Sequence, residues 1–108
     1  MPQQIRPAEV ADRMKRGEKL WFLDVRQPWE NQIAQIPGSV LIPLNELASR
    51  LAEVKAAEGQ TIIAYCHAGL RSLNAAAFLE QNGVANVLSL AGGIEAWSLQ
   101  IDPNVPRY

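Results

Sequence analysis

Apolar and polar positions along this chain fall into two kinds of block, short apolar runs and longer segments with helical spacing. The runs are Leu20 to Val25, Ser39 to Ile42, Thr61 to Tyr65 and Asn86 to Leu90, each short enough for a buried strand. Pro43 stops the second of them. The helical segments lie between the runs. Pro7 to Arg16 starts with a proline suited to a first turn and has Gly17 beyond it. Pro28 to Ile33 is brief and ends near the turn dipeptide Pro37-Gly38. Leu44, Leu47, Leu51 and Val54 recur on one face of a third helix, with Glu46, Arg50, Glu53 and Lys55 on the others. Ser72 to Gln81 is closed by Asn82-Gly83, and Gly92-Gly93 opens a last turn of helix through Trp97. The segment from Ile101 to Pro106 is too rich in proline for a regular element. Strands alternating with helices imply βα units, a parallel sheet and helices on both of its faces. The pattern predicts a small three-layer α/β domain with four or five short strands and right-handed crossovers.

Composition narrows the class. A chain of 108 residues is one domain, 1–108, and at that size about two-thirds of the unfolded surface can be buried. It is 48% hydrophobic and 19% charged, and its ten basic and eleven acidic residues are spread along the chain. No basic block marks a nucleic-acid partner. No apolar run approaches the roughly 20 residues that cross a bilayer, and the first residues lack the apolar core of a signal peptide. The single cysteine can form no internal disulfide, which fits a reducing compartment. The expected location is the cytoplasm, with neither nucleic acid nor membrane as partner.

The chemistry concentrates in Tyr65-Cys66-His67-Ala68-Gly69-Leu70-Arg71-Ser72, which holds the only cysteine and the only histidine. In open α/β sheets, ligands bind beyond the carboxyl ends of strands, and Cys66 follows the Thr61–Tyr65 run. The loop then enters a helix, whose first N–H groups lack intrahelical partners and carry partial positive charge. Gly69 lets the backbone curl so that successive N–H groups point inward as an anion-binding nest. Arg71 adds a permanent cation able to grip two oxygens of one anion. Both features favour a thiolate, which is the nucleophilic form of cysteine. The alternative for a lone cysteine is a buried, inert hydrophobe. Asp24 and Arg26, at the end of another strand, read more readily as a cap and a salt bridge than as catalytic groups. His67 is either a proton donor beside the sulfur or a ring facing solvent. One histidine next to one cysteine makes a poor zinc site, so neither metal nor cofactor is expected.

Three blocks together resemble the single-domain rhodaneses, the sulfurtransferase module. Leu23-Asp24-Val25-Arg26-Gln27-Pro28-Trp29-Glu30, continued by Ile36-Pro37-Gly38-Ser39 and Ile42-Pro43, is similar to that family's early motif. Cys66 to Ser72 is similar to its C-x-x-G-x-R-S loop, and Gly92-Gly93-Ile94-Glu95-Ala96-Trp97 to its late GG-x-x-AW motif. The likeness runs from about Ile5 to Trp97 and leaves 98–108 as an irregular tail. It implies a rhodanese-like sheet of about five parallel strands. It also implies that Cys66 takes a sulfane sulfur from a small anionic donor such as thiosulfate. Cys66 then passes it, as a persulfide, to cyanide or another thiophilic acceptor, including protein or low-molecular-weight thiols. His67, Ala68, Gly69, Leu70 and Arg71 would form the active-site loop around Cys66. Two departures stand out: Ala34-Gln35 replaces a common Gly-His, and a common Gly-x-Pro-Val ending after the tryptophan is missing.

Two other readings remain open at this point. The architecture also resembles cysteine-dependent phosphatases of the cell cycle and some arsenate reductases, whose loops have the spacing C-x5-R. Here the arginine is the fifth residue after Cys66, so the loop is one residue shorter and leaves less room for a phosphoryl group. The third reading is a non-catalytic interaction module, against which the presence of Cys66 argues, although Cys66 is compatible with a mainly sulfur-carrier role.

Overall fold

The computed structural model describes residues 2–57 and 59–108. Its centre is a five-stranded sheet in which every pairing is parallel. The elements follow one another as β1 (Gln3–Ile5), α1 (Pro7–Lys15), β2 (Leu20–Asp24), α2 (Pro28–Ile33), β3 (Val40–Leu41), α3 (Leu51–Lys55), β4 (Thr61–Tyr65), α4 (Leu70–Gln81), β5 (Val87–Leu90) and α5 (Gly93–Gln100). The strand order is β1-β5-β4-β2-β3, so β4 lies at the centre. That explains its unbroken apolar run: Ile62 to Tyr65 are all buried, since a central parallel strand is covered on both faces.

The two-residue period of the strands divides the interior into two cores. Leu23, Ile62, Ala64 and Cys66 face one side and pack with Val54 of α3 and Ala75, Ala76 and Leu79 of α4. Phe22, Ile63, Tyr65 and Leu90 face the other, against Val10 of α1 and Ile94 and Trp97 of α5. Phe22 and Trp97 meet edge to face at 6.1 Å between ring centres. Among the described residues no helix is long and apolar enough to cross a membrane.

Besides shifts of one or two residues at element ends, such as α4 starting at Leu70 instead of Ser72, three features differ from the sequence expectations. First, Gln3–Ile5 forms an edge strand beside β5 that its Gln-Gln-Ile pattern does not announce, because the pairing with Leu88, Ser89 and Leu90 creates it. Second, the helix expected over Leu44 to Val54 is interrupted. Leu44–Glu46 is a 3-10 turn, and the Ser49 hydroxyl donates to the Glu46 carbonyl at 2.9 Å, a local bond that competes with helix propagation. Only Leu51–Lys55 is α-helical. Third, the irregular tail does not begin at 98. Ser98, Leu99 and Gln100 continue α5, since no breaker occurs before Pro103. Nor is the tail loose: Val105 is buried in the second core, and the Ser98 hydroxyl donates to its carbonyl at 2.6 Å.

Candidate active site

The chain turns back across the sheet between β3 and β4, so β2 and β4 are neighbours whose onward connections diverge. A crevice at such a switch point, beyond the carboxyl ends of the strands, is where ligands bind in open α/β sheets. Asp24 and Tyr65 are register partners at the ends of these two strands. Cys66 and Arg26 follow from them, and the site is built there.

Cys66 is 1% exposed. The Gly69 N–H donates to its sulfur at 3.1 Å and the Ser72 N–H at 3.4 Å. Ser72 Oγ lies 3.6 Å from the sulfur, 3.2 Å from the Gly69 carbonyl and 2.7 Å from Ser89 Oγ. A hydroxyl has one proton: when Ser72 gives it to the Gly69 carbonyl, its oxygen is left to accept from the Cys66 thiol and from Ser89. The loop thus offers donors to negative charge on Cys66 at its inner side, as a nest does.

Its shape has two causes. Gly69 sits at φ +113°, in the left-handed region where glycine costs least, and directly precedes α4. Behind the loop, α5 presents its first N–H groups to the loop's carbonyls. The Ile94 N–H bonds the Cys66 carbonyl at 2.9 Å and the Glu95 N–H bonds the His67 carbonyl at 3.1 Å. Two unpaired donors of a helix start are thereby satisfied. The approach is so close that a Cβ on Gly93 would fall 2.5 Å from the Cys66 carbonyl oxygen.

The charged groups form two linked pairs. Asp24 and Arg26 are fully buried and doubly bonded, with Arg26 Nε and Nη2 each 2.8 Å from a carboxylate oxygen. Arg26 also donates to the Ala34 carbonyl. Burial pulls its guanidinium toward neutrality, but the bonds to Asp24 and Tyr108 outweigh that and hold it charged. The second pair joins Arg71 of the loop to Glu30 of α2 at 2.7 and 2.9 Å. Hydrogen bonds from Arg71 hold the Glu30 carboxyl down at about 2 against the opposing effect of burial. Arg71 in turn is held in its charged form by Glu30 first and by negative charge at Cys66 as well. Both terminal nitrogens of Arg71 are therefore engaged by protein.

Of the other loop residues, Ala68 and Leu70 are exposed. The half-buried His67 stacks on Tyr108, with ring centres 4.1 Å apart and planes 15° from parallel. Trp29 is 60% exposed and touches Tyr108 edge-on. Gln35 is exposed just past α2. Four contributors carried no assigned role in the sequence: Glu30, Ser72, Ser89 and Tyr108. Glu30 and Ser72 lie inside the quoted motifs, and Ser89 is a serine in an apolar run, which is a usable signal. Tyr108 had none. Among the described residues no three His, Cys, Asp or Glu side chains gather as a metal site. A surface hollow of about 510 Å³ beside Arg13, Thr61, Glu80 and Asn86 opens at the strand starts, away from Cys66.

Comparison with known proteins identifies the family of the chain. The family model of the rhodanese-like domain matches residues 6–100. A protein named sulfurtransferase from Allochromatium vinosum is 32% identical, with 91% of this chain and 90% of that protein covered. The probable adenylyltransferase/sulfurtransferase MoeZ of Mycobacterium tuberculosis is 36% identical over 104 residues, but this chain spans only 26% of its length. A crystal structure of a rhodanese-related protein from Thermoplasma volcanium superimposes with a TM-score of 0.81 at 31% identity, covering 98% of this chain and 99% of the other.

Proposed function

This chain belongs to the rhodanese-like domain family, and we propose that it is a sulfurtransferase that carries a sulfane sulfur on Cys66. The observation that carries the reading is the pair of N–H groups, from Gly69 and Ser72, aimed at the sulfur at 3.1 and 3.4 Å. They sit beyond the carboxyl ends of the strands, where open α/β sheets in general bind ligands.

The reaction is two displacements at sulfur. The Cys66 thiolate attacks the outer sulfur of a donor such as thiosulfate. A new S–S bond forms to Cys66, the old one breaks, and sulfite leaves with its electron pair. Cyanide or a thiolate then attacks the outer sulfur of the persulfide, and Cys66 departs as thiolate. In each state, negative charge rests on the Cys66 sulfur or on the sulfur attached to it, where preorganised donors in a site shielded from water are most effective. The loop donors hold that charge without rearranging. The free thiol this requires fits a reducing location such as the cytoplasm.

The similarity to one part of a protein named sulfurtransferase, MoeZ, supports sulfur transfer by this chain, with a protein thiol as an alternative acceptor to cyanide. Intact mass separates loading from delivery. Incubation with thiosulfate should add one sulfur, and cyanide should remove it. Cys66→Ser should stay folded and take up none. Uptake by the serine variant would refute a Cys66 persulfide.

A further inference from the structure

The two charged pairs of the site are bridged by one hydroxyl group. Tyr108 accepts a hydrogen bond from Arg26 Nη1 at 2.9 Å and donates one to Glu30 Oε2 at 2.7 Å. The result is a continuous chain, Asp24 to Arg26 to Tyr108 to Glu30 to Arg71, running from the end of β2 into the Cys66 loop. The one other link between the pairs is a 3.5 Å approach of Arg26 to the Glu30 main-chain carbonyl, at the outer limit for a hydrogen bond. The Tyr108 ring grips the loop a second time through its stack on His67, the residue after the nucleophile.

Tyr108 is held in place by more than its own contacts. Val105 is buried, and the Ser98 hydroxyl bonds its carbonyl. Arg107 pairs with Glu95 at 2.9 and 3.1 Å. Glu95 also donates its N–H to the His67 carbonyl, so one residue of α5 anchors both the loop and the segment that carries Tyr108.

We propose that Tyr108 is a positioning residue for sulfur transfer, fixing the Cys66 loop through Glu30–Arg71 on one side and His67 on the other. This rests on the sulfurtransferase reading of Cys66. The hydroxyl presents Glu30 to Arg71, and the ring keeps His67 flat against the rim. Without them Arg71 and His67 can swing, and the Gly69 and Ser72 donors lose their aim at the sulfur.

The test uses Tyr108→Phe, which keeps the stack and removes the bridge, and Tyr108→Leu, which removes both. The amide signals of Gly69 and Ser72, read by NMR, report the loop without any sulfur donor. His67, the only histidine, gives a single set of ring signals that reports the stack. Both amides should shift in both variants, and the His67 ring signals should move strongly in Tyr108→Leu. For thiosulfate and cyanide, kcat should fall about tenfold in Tyr108→Leu and about threefold in Tyr108→Phe, with KM within about twofold. Tyr108→Phe combined with Glu30→Gln should lose less than the sum of the single changes, because both act through Arg71. Unchanged kcat, or a lower kcat with unmoved amide signals, overturns the proposal. If Tyr108→Leu fails to fold, Tyr108→Phe decides by the same criteria. If the unmodified protein takes no sulfur from thiosulfate, it is the sulfurtransferase reading that fails with this donor. The amide signals then decide Tyr108 alone, and unmoved signals overturn it.

Discussion

Arg71 gives both terminal nitrogens of its guanidinium to the two carboxylate oxygens of Glu30, at 2.7 and 2.9 Å. The sequence pointed to an arginine gripping the donor anion. In the fold its fork is filled by a carboxylate of the protein, itself 3% exposed. The expected role of the arginine is then a fixed positive charge near the sulfur and a brace for the loop.

That difference is measurable. An arginine that bound only the donor would matter for loading and be spared in off-loading. A brace matters in both. Arg71→Ala should lower the loading of Cys66 from thiosulfate and the transfer from loaded Cys66 to cyanide to similar extents, by roughly one to two orders of magnitude each. Rapid-mixing measurements of the separate half-reactions check this. A loss confined to loading returns Arg71 to donor binding.

The same ion pair should contribute to stability against acid. Arg71 holds the Glu30 carboxyl at about 2 in the fold, below the ordinary 4.5. A carboxyl depressed by folding adds stability that is complete above its unfolded value. That stability is lost as pH falls from about 4.5 toward 2. Glu30→Gln should be less stable near neutrality and show a shallower decline across that acid window. Thermal unfolding followed by circular dichroism at several pH values gives the comparison, and parallel acid limbs would contradict it.

Gly93 is where α5 meets the Cys66 loop. A Cβ there would lie 2.4 Å from the His67 carbonyl oxygen and 2.5 Å from that of Cys66, both main-chain atoms that cannot swing aside. Gly93→Ala should cost about 2–4 kcal/mol and push the loop away from the sulfur, abolishing most transfer. Gly83→Ala, which shares a positive φ but meets nothing within 4 Å, should cost only about 1 kcal/mol and leave transfer intact. Denaturant unfolding and initial rates measure both variants.

Loop length separates sulfur transfer from phosphoryl transfer. Cys66 to Arg71 is one residue shorter than the phosphatase spacing, and Glu30 already fills the arginine fork that a phosphate would need. The unmodified protein should turn over no p-nitrophenyl phosphate under conditions where it consumes thiosulfate. Robust phosphatase activity that disappears in Cys66→Ser would make the phosphatase reading the better one.

The local pattern of the chain goes far toward the fold. Thr61–Tyr65 is a strand with the bounds its apolar run predicts, and Pro28–Ile33 is a helix with the bounds its proline and flanking turn predict. Both are governed by interactions between near neighbours and by whether a face is covered. The Cys66 loop was legible for the same reason, because glycine, strand end and helix start are contiguous in sequence. Elements that exist only through a distant partner were not. Gln3–Ile5 becomes a strand because β5 offers it a ladder, and Ser89 reaches Ser72 beside Cys66 only because β5 lies beside β4.

Charge partners belong to that second group. Nothing local to Arg71 says that its fork faces Glu30, 41 positions earlier in the chain, instead of an incoming anion. Nothing in a proline-rich tail says that Tyr108 crosses back to bridge Arg26 and Glu30 and to lie on His67. Backbone conformation follows from short-range sterics and capping, so it is written along the chain. Which buried charge meets which is settled by the need to compensate each one once packing has removed the water. That need can be met only among groups that the folded chain brings together.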